Sequence, residues 1–140
     1  MMTNAREMMH PGVECIGEHD TLEKAAQMMR DLDVGALPIC GDAYRLQGII
    51  TDRDIVVRCL ADGANPQTVT AGDLAQGKPV TVDADATLTA VLRAMTDHQI
   101  KRIPVLDHHR LVGMISESDL ARHLSEDDLA AFVEGVYARS

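Results

Sequence analysis

Aromatic side chains are nearly absent from this sequence, which has no tryptophan, two tyrosines and one phenylalanine among 140 residues. A surface that binds single-stranded nucleic acid by stacking its bases on aromatic rings is therefore not expected. Basic residues are also scarce, because 13 lysines and arginines stand against 22 acidic residues and leave a formal net charge of −9. This balance argues against binding to nucleic acid or to an anionic membrane surface. No apolar run approaches the roughly 20 residues of a transmembrane helix, so we expect no membrane partner.

Catalytic and metal-binding motifs are missing as well. The sequence contains no GxSxG, GxxxxGK(S/T) or GxGxxG, no CxxC, and no histidine pair with HExxH spacing. Its three cysteines are too few for a disulfide framework. These absences predict that the protein is not an enzyme and holds no metal. The first residues lack the apolar stretch of a secretory signal, so we expect a cytoplasmic protein, with export by a non-classical route left open.

The sequence does contain an internal repeat. The segment VGALPI at 34–39 recurs as IKRIPV at 100–105, and Thr21-Leu22 recurs as Thr87-Leu88, both with a shift of 66 residues (87 − 21). After one residue is lost in a turn, RLQGIITDRDI at 45–55 recurs as RLVGMISESDL at 110–120 with a shift of 65 (110 − 45). This self-similarity predicts two tandem copies of one structural unit. The turn-forming segment 62–66 is predicted to join the copies.

Each copy has the element order β-α-β-β-α. A threonine caps its first helix, and apolar residues follow at i, i+3, i+4 and i+7, which is typical of a helix packed on a core. The crossover makes the first two strands parallel, and a short turn makes the third antiparallel. We therefore predict an α/β (α+β) fold in which the two units pack through their sheets with pseudo-two-fold symmetry. The predicted elements are strands at 14–16, 36–40 and 46–50 (80–82, 102–106 and 111–115 in the second copy), helices after Thr21, Thr51, Thr87 and Ser116, and a C-terminal helix capped by Ser125.

A family resemblance lies in the last strand–helix junction of each copy. GIITDRD at 48–54 and GMISESD at 113–119 both place glycine, two apolar residues, threonine or serine, and aspartate in the same order. This duplicated unit resembles the CBS domain, and the pair resembles a Bateman module of the stand-alone type found in actinobacterial hypoxic response proteins. On this resemblance the chain divides into CBS domains at 5–61 and 71–124 and a C-terminal helix at 125–140. The resemblance also implies a regulatory homodimer that acts in trans, on an unknown protein partner, in stress or energy sensing.

The junction residues have two interpretations. Thr51 with Asp54, and Ser116 with Asp119, have the spacing of a helix cap, in which the hydroxyl accepts a backbone N–H and the carboxylate favours the positive helix end. The same helix end can bind a phosphate, and the carboxylate can accept from both hydroxyls of a ribose. The CBS resemblance implies this second role, with AMP, ATP or S-adenosylmethionine as the regulatory ligand. Both roles can hold together.

Further ligand contacts are implied by the resemblance, from the strands that line the cleft and from the first strand beside adenine. Core packing is the alternative interpretation of these strands. Lys101 and Arg102 replace Gly35 and Ala36, so the second copy has two cations that could neutralise phosphates, and we expect it to be the occupied copy. The implied contacts are Cys15, Ala36, Pro38, Thr81, Lys101, Arg102 and Pro104.

Cys15 and Cys40 are predicted to lie on neighbouring strands, about 4.8 Å apart, which is within disulfide reach if the register agrees. The second copy has Thr81 and Leu106 at these positions, so such a bridge would be peculiar to the first copy. Two reduced, buried thiols are the alternative, and they are normal in the cytosol. Cys59, on a helix, has no evident partner.

Three functions remain open on the sequence. The first is a regulatory protein that binds an adenosyl nucleotide in clefts between the units. The second is a ligand-independent homodimeric stress protein that acts by contact, with apolar residues of the second helices in an isologous interface. The third is a metal-dependent or enzymatic role of the six histidines.

Overall fold

The computed structural model describes residues 3–75 and 77–138. Its contacts divide the chain into two compact units. The first-repeat unit comprises residues 14–79, and the second-repeat unit combines the residues up to Val13 with those from Val80 onward. Each unit contains one sheet and several helices, so the predicted mixed α+β fold is confirmed. No helix within the described residues is both long and apolar enough to cross a membrane.

The elements follow the predicted order within each repeat, with short additions at the start. The helices are α1 (Ala5–Met8), α2 (Leu22–Leu32), α3 (Asp52–Ile55), α4 (Ala71–Leu74), α5 (Leu88–Asp97), α6 (Glu117–Ala121) and α7 (Glu126–Tyr137). The strands are β1 (His10–Pro11), β2 (Ile16–Gly17), β3 (Ala36–Cys40), β4 (Leu46–Thr51), β5 (Val82–Asp83), β6 (Arg102–Asp107) and β7 (Arg110–Ser116).

The predicted strand directions are confirmed in both units. The first-repeat sheet has the order β2-β3-β4, with β2 parallel and β4 antiparallel to β3. The second-repeat sheet has the order β1-β7-β6-β5, with β5 parallel and β7 antiparallel to β6. Short β2 and β5 thus leave the first half of each central strand paired on one side only.

The first strand of each copy begins later than predicted. Parallel pairing starts at Ile16 with Ile39 in the first-repeat unit and at Val82 with Val105 in the second, so residues 14–15 and 80–81 lie outside the strands. The physical reason is the proline immediately before each of these partners on the central strand. Proline has no N–H to donate to a ladder, so pairing on that side begins at the next residue.

Three predicted helix caps are confirmed, whereas the Ser116 hydroxyl donates to Asp119 instead of accepting a backbone N–H. The hydroxyls of Thr21, Thr87 and Ser125 accept the backbone N–H groups of Lys24, Ala90 and Asp128. The apolar faces of the capped helices enter two separate cores, that of α2 in the first-repeat unit and those of α5 and α7 in the second-repeat unit. The helix after β4 continues beyond α3 as one wider π-type turn over Val56–Leu60, which the sequence pattern did not indicate.

Two short helices, α1 and α4, extend the repeat beyond what the sequence analysis found. The backbone N–H of Ala5 donates to Ala86 O at 2.8 Å, and that of Ala71, 66 residues later, donates to Asp20 O at 2.9 Å. Each helix therefore leads one repeat in sequence but packs in the unit built mainly from the other repeat. In the second-repeat unit β1 then crosses Gly113, where a methyl group would come within 2.8 Å of His10 O, so a larger residue does not fit. The domain boundaries predicted above, 5–61 and 71–124, stay a prediction. By their contacts, residues 3–13 belong to the second-repeat unit and not to the unit of the first repeat.

Candidate functional site

The strand registers bring the predicted junction residues together. Ala36, at the start of β3, pairs with Thr51 at the end of β4, and Arg102 pairs in the same way with Ser116. The carboxylate three residues later lies in the first turn of the following helix. We call Ala36, Thr51 and Asp54 the first junction, and Arg102, Ser116 and Asp119 the second junction.

At the first junction, Asp54 and Thr51 form a reciprocal helix cap. The Thr51 N–H donates to Asp54 Oδ2 at 2.9 Å, and the Asp54 N–H donates to Thr51 Oγ1 at 3.1 Å. The capping interpretation is therefore confirmed here. Asp54 is half-buried, and its Oδ1 has no hydrogen-bond or ion-pair partner among residues 3–75 and 77–138. The cap holds the carboxylate in a fixed orientation and leaves one oxygen available.

At the second junction, both oxygens of Asp119 are occupied. Oδ2 accepts from the Ser116 N–H at 2.9 Å and from the Ser116 hydroxyl at 3.0 Å. Oδ1 accepts from Arg122 Nη2 at 2.5 Å and lies 3.5 Å from His10 Nδ1. Asp119 is 2% exposed and is the one buried charged residue among those described. The two junctions share a backbone geometry but differ in how much of the carboxylate remains free.

The two predicted cations of the second copy have different surroundings. Lys101 is exposed, and its ammonium lies 5.0 Å from the centre of the Tyr137 ring on α7. The Tyr137 hydroxyl donates to Glu117 Oε1 at 3.0 Å, next to the second junction. Arg102 is half-buried and makes no ion pair within the described part of the chain. Lys101 is thus already engaged by the chain's own last helix.

The remaining predicted contacts are spread along the strands. Pro38 and Pro104 are buried in β3 and β6, opposite Ile49 and Met114. Cys15 precedes β2 and is joined to Cys40 by a disulfide. The side chains of Cys15, Pro38 and Pro104 take no part in the hydrogen bonds of the two junctions.

Thr81 lines a pocket of about 330 Å³ in the second-repeat unit. The pocket is also lined by Asp83, Asp85 and Asp107, with His108 and His109 at the β6–β7 turn. A hydrogen bond from Arg6 holds the pKa of Asp107 below its usual value. Three carboxylates in one pocket disfavour a phosphate by charge repulsion. The pocket therefore adds no support for Thr81 as a nucleotide contact.

Metal ligands do not converge within the described residues. Over 3–75 and 77–138, no group of three or more histidine, cysteine, aspartate or glutamate side chains could hold an ion. The adjacent His108 and His109 both have positive φ, 50° and 68°, as expected in the tight left-handed turn of a hairpin. The hairpin turn therefore accounts for the backbone conformation of both histidines.

Sequence reasoning missed three side chains that shape the second junction. Arg122 stands three residues after Asp119 on one helix face, so helical spacing carried a signal that went unused. His10 and Tyr137 reach the junction from β1 and α7. No local pattern reports such contacts, because they depend on where two terminal segments pack.

Comparison with known proteins gives a consistent picture. The family model described as "CBS domain" matches residues 5–60 and 71–126. The chain is 53% identical over 135 residues to "Hypoxic response protein 1" of Mycobacterium tuberculosis, covering 96% of this chain and 94% of that protein. It is 34% identical over 124 residues to "CBS domain-containing protein YhcV" of Bacillus subtilis, covering 86% and 84%.

Two solved structures are also similar. The crystal structure of Hypoxic Response Protein I with two coordinated zinc ions has 55% identity and a TM-score of 0.81, covering 88% of this chain and all of that one. The structure of CBSX2 in complex with AMP has a TM-score of 0.74 and covers 86% of this chain and 94% of that one. At 20% identity, the second likeness shows the fold alone.

Proposed function

The chain belongs to the CBS-domain family, and from that premise we propose that it binds an adenosyl nucleotide and regulates a protein partner in trans. Its relatives are named as response or CBS-domain proteins, and none of the names given above is that of an enzyme. The AMP in CBSX2 is a property of that distant protein, and it makes AMP the first ligand to test here. ATP and S-adenosylmethionine share the adenosyl group and are the other candidates.

The observation that supports this proposal most is the free oxygen of Asp54. A ribose offers two neighbouring hydroxyls, and a carboxylate held by a cap can accept from them without further ordering. Arg53, exposed beside it, makes no ion pair within the described residues and can face a phosphate. Ala36 lies opposite Thr51, so the strand start and the cap present one continuous surface.

The contacts favour the first junction over the second. The sequence suggested the second copy because of Lys101 and Arg102, which supply positive charge. The structure places Tyr137 over Lys101, and Arg122 and His10 against Asp119. A ligand at the second junction would have to displace these partners. We therefore propose that the first junction is the higher-affinity site.

Asp54→Ala is expected to weaken AMP binding by about tenfold to a hundredfold, because one or two hydrogen bonds to a charged acceptor are lost. Asp52→Ala is the matched control, since Asp52 is exposed in the same turn and carries the same charge. Isothermal titration calorimetry on both variants separates a ribose contact from a general loss of charge. Equal losses in the two variants would contradict the assignment of Asp54.

A thermal-shift panel identifies the ligand class. AMP, ATP, S-adenosylmethionine and adenosine are each expected to raise the melting temperature only if they bind the folded state. AMP should stabilise more than adenosine, because Arg53 can interact with its phosphate. No stabilisation and no heat with any adenosyl ligand at millimolar concentration would leave the contact-only function as the better description.

That second function is favoured by a separate observation, an exposed apolar strip after α3. Val56, Val57 and Leu60 are 54%, 44% and 53% exposed. The sequence analysis placed apolar residues from the second helices of both repeats in a homodimer interface. Two of these apolar residues, Ile55 and Leu120, are instead buried in the cores. We propose the strip as the dimer contact, whether or not a nucleotide binds.

Leu60→Glu is expected to turn a dimer into a monomer in light scattering at micromolar concentration, because it buries a charge in an apolar contact. Gln67→Glu, exposed in the same unit, controls for the added charge. A monomeric mass for the unmodified protein would rule out this interface.

The two zinc ions described above are a property of the related crystal structure. Since no three ligands converge within the described residues of this chain, the proposed mechanism contains no metal-dependent step. In the proposed mechanism, the chain's own side chains bind and orient the nucleotide.

A further inference from the structure

The C-terminal helix α7 reaches the second junction with its last turn. Tyr137 is the final residue of the helix, and it contacts two residues on either side of that junction in sequence. Its ring lies 5.0 Å from Lys101 Nζ, and its hydroxyl donates to Glu117 Oε1 at 3.0 Å. The Gln99 side-chain amide also donates to Ala138 O just beyond the helix. Three contacts thus hold the end of the helix against this part of the second-repeat unit.

The rest of α7 is built to hold this position. Phe132 and Val136 are each 4% exposed and belong to the second-repeat core, beside residues of α5. Gly135 faces Thr96 so closely that a methyl group added there would lie 2.8 Å from Thr96 Cγ2. The helix therefore packs on α5 at close range, and its seating fixes where Tyr137 falls.

The contacts of Tyr137 compete with a bound phosphate. A lysine ammonium over an aromatic face is stabilised there by the ring's negative face, and it has to leave the ring to meet a phosphate oxygen. Glu117, held beside the junction by the tyrosine hydroxyl, adds a negative charge that repels the same phosphate. Both effects act on the second junction. No aromatic residue stands in the equivalent place after the first repeat, which is followed directly by residues 61–70.

We propose that α7 blocks nucleotide binding at the second junction, through the contacts of Tyr137 with Lys101 and Glu117. We call this arrangement of α7 the latch. The latch presupposes the nucleotide binding proposed above, and it predicts that the two repeats bind unequally within one chain. When α7 is seated, only the first junction accepts AMP. When α7 is displaced, Lys101 becomes available to a phosphate and AMP binds the second junction as well, more weakly than the first because its ribose still has to displace Arg122 and His10 from Asp119. A partner protein that binds α7 and displaces it would in this way raise the number of AMP molecules bound per chain from one to two.

Calorimetric titration of the full chain with AMP tests the latch. The unmodified protein is expected to bind one AMP per chain at concentrations that saturate the first junction. Tyr137→Ala is expected to add a second binding event, with affinity at the second junction raised about tenfold by loss of the competing contacts. Adding Lys101→Met to Tyr137→Ala should remove that event. Tyr44→Ala is the matched control, because Tyr44 is 61% exposed in a hairpin turn of the other unit.

A second variant is designed to displace α7 without changing Tyr137. Gly135→Ala introduces a good helix former, but its methyl group would lie 2.8 Å from Thr96 Cγ2, so the packing of α7 on α5 has to adjust and we expect this variant to add the second event as well. Tyr137→Phe keeps the ring over Lys101 and loses only the bond to Glu117, so it should lie between the unmodified protein and Tyr137→Ala.

The outcomes distinguish the latch from the function it depends on. One AMP in the unmodified protein and no gain in either Tyr137→Ala or Gly135→Ala would overturn the latch and leave nucleotide binding at the first junction intact. Two equal AMP sites in the unmodified protein would also overturn the latch. No AMP bound by any variant would overturn the proposed function, and the latch with it.

Discussion

Replacing Cys15 and Cys40 together with serine is expected to lower the free energy of unfolding by about 3–4 kcal/mol. The disulfide joins residues 25 apart in sequence, and the loop it closes contains β2, α2 and nearly all of β3. Closing that loop restricts the unfolded chain, so its loss favours the unfolded state. Urea unfolding of the oxidised protein and of the double variant measures the difference.

The third cysteine supplies the control for this experiment. Cys59 is fully buried and free, with its thiol 3.5 Å from Ala64 O. A Cys59→Ala variant should keep its sensitivity to reductant, whereas the double serine variant should unfold identically with and without reductant. Thiol counting on denatured, unreduced protein is expected to find one free thiol per chain. Three free thiols would mean that the bridge is absent in solution.

Asp119→Ala is expected to cost about 2–3 kcal/mol of stability, from lost hydrogen bonds to a charged acceptor and from a lost helix cap. The Ser116 N–H, the Ser116 hydroxyl and Arg122 all lose their acceptor at once. Arg122 is 63% exposed and can return to water, so no buried cation is left behind. Urea unfolding at constant pH is the measurement.

Asp54→Ala is the matched comparison for this prediction. It removes the same cap in the other repeat but only one side-chain acceptor, so we expect a loss of about 1 kcal/mol. The two aspartates should thus separate by effect, with Asp119 important for stability and Asp54 for AMP binding. An equal loss of stability in both variants would contradict this division.

Local sequence patterns predicted most of the fold. Thr21, Thr87 and Ser125 cap helices because a hydroxyl before an apolar stripe satisfies a free N–H, whatever the rest of the chain does. Strand directions followed from connection lengths. Helices of only four residues, such as α1 and α4, have no periodicity to detect, so they were missed.

The site was only partly predictable for a related reason. The Thr51 and Asp54 cap is a spacing of three residues and could be read directly. The difference between the two junctions depends on His10 and Tyr137, whose contacts with the second junction are made by packing at the chain ends. Lys101 and Arg102 looked like an advantage for the second copy because the sequence shows their charges but neither the Tyr137 ring beside Lys101 nor the partners of Asp119.

The placement of residues 3–13 in the second-repeat unit has a consequence for how the chain is made. These residues are synthesised before their partners at Ala84, Ala86, Asp107 and β7, which lie more than 70 residues later in the sequence. The first-repeat unit, 14–79, can close during synthesis from segments that are already present. The second-repeat unit cannot close until the segment from Val80 onward is made, and β1 stays an unpaired strand edge until β7 is present. A bulky fusion placed directly before α1 is therefore expected to interfere with the second-repeat unit and not with the first-repeat unit.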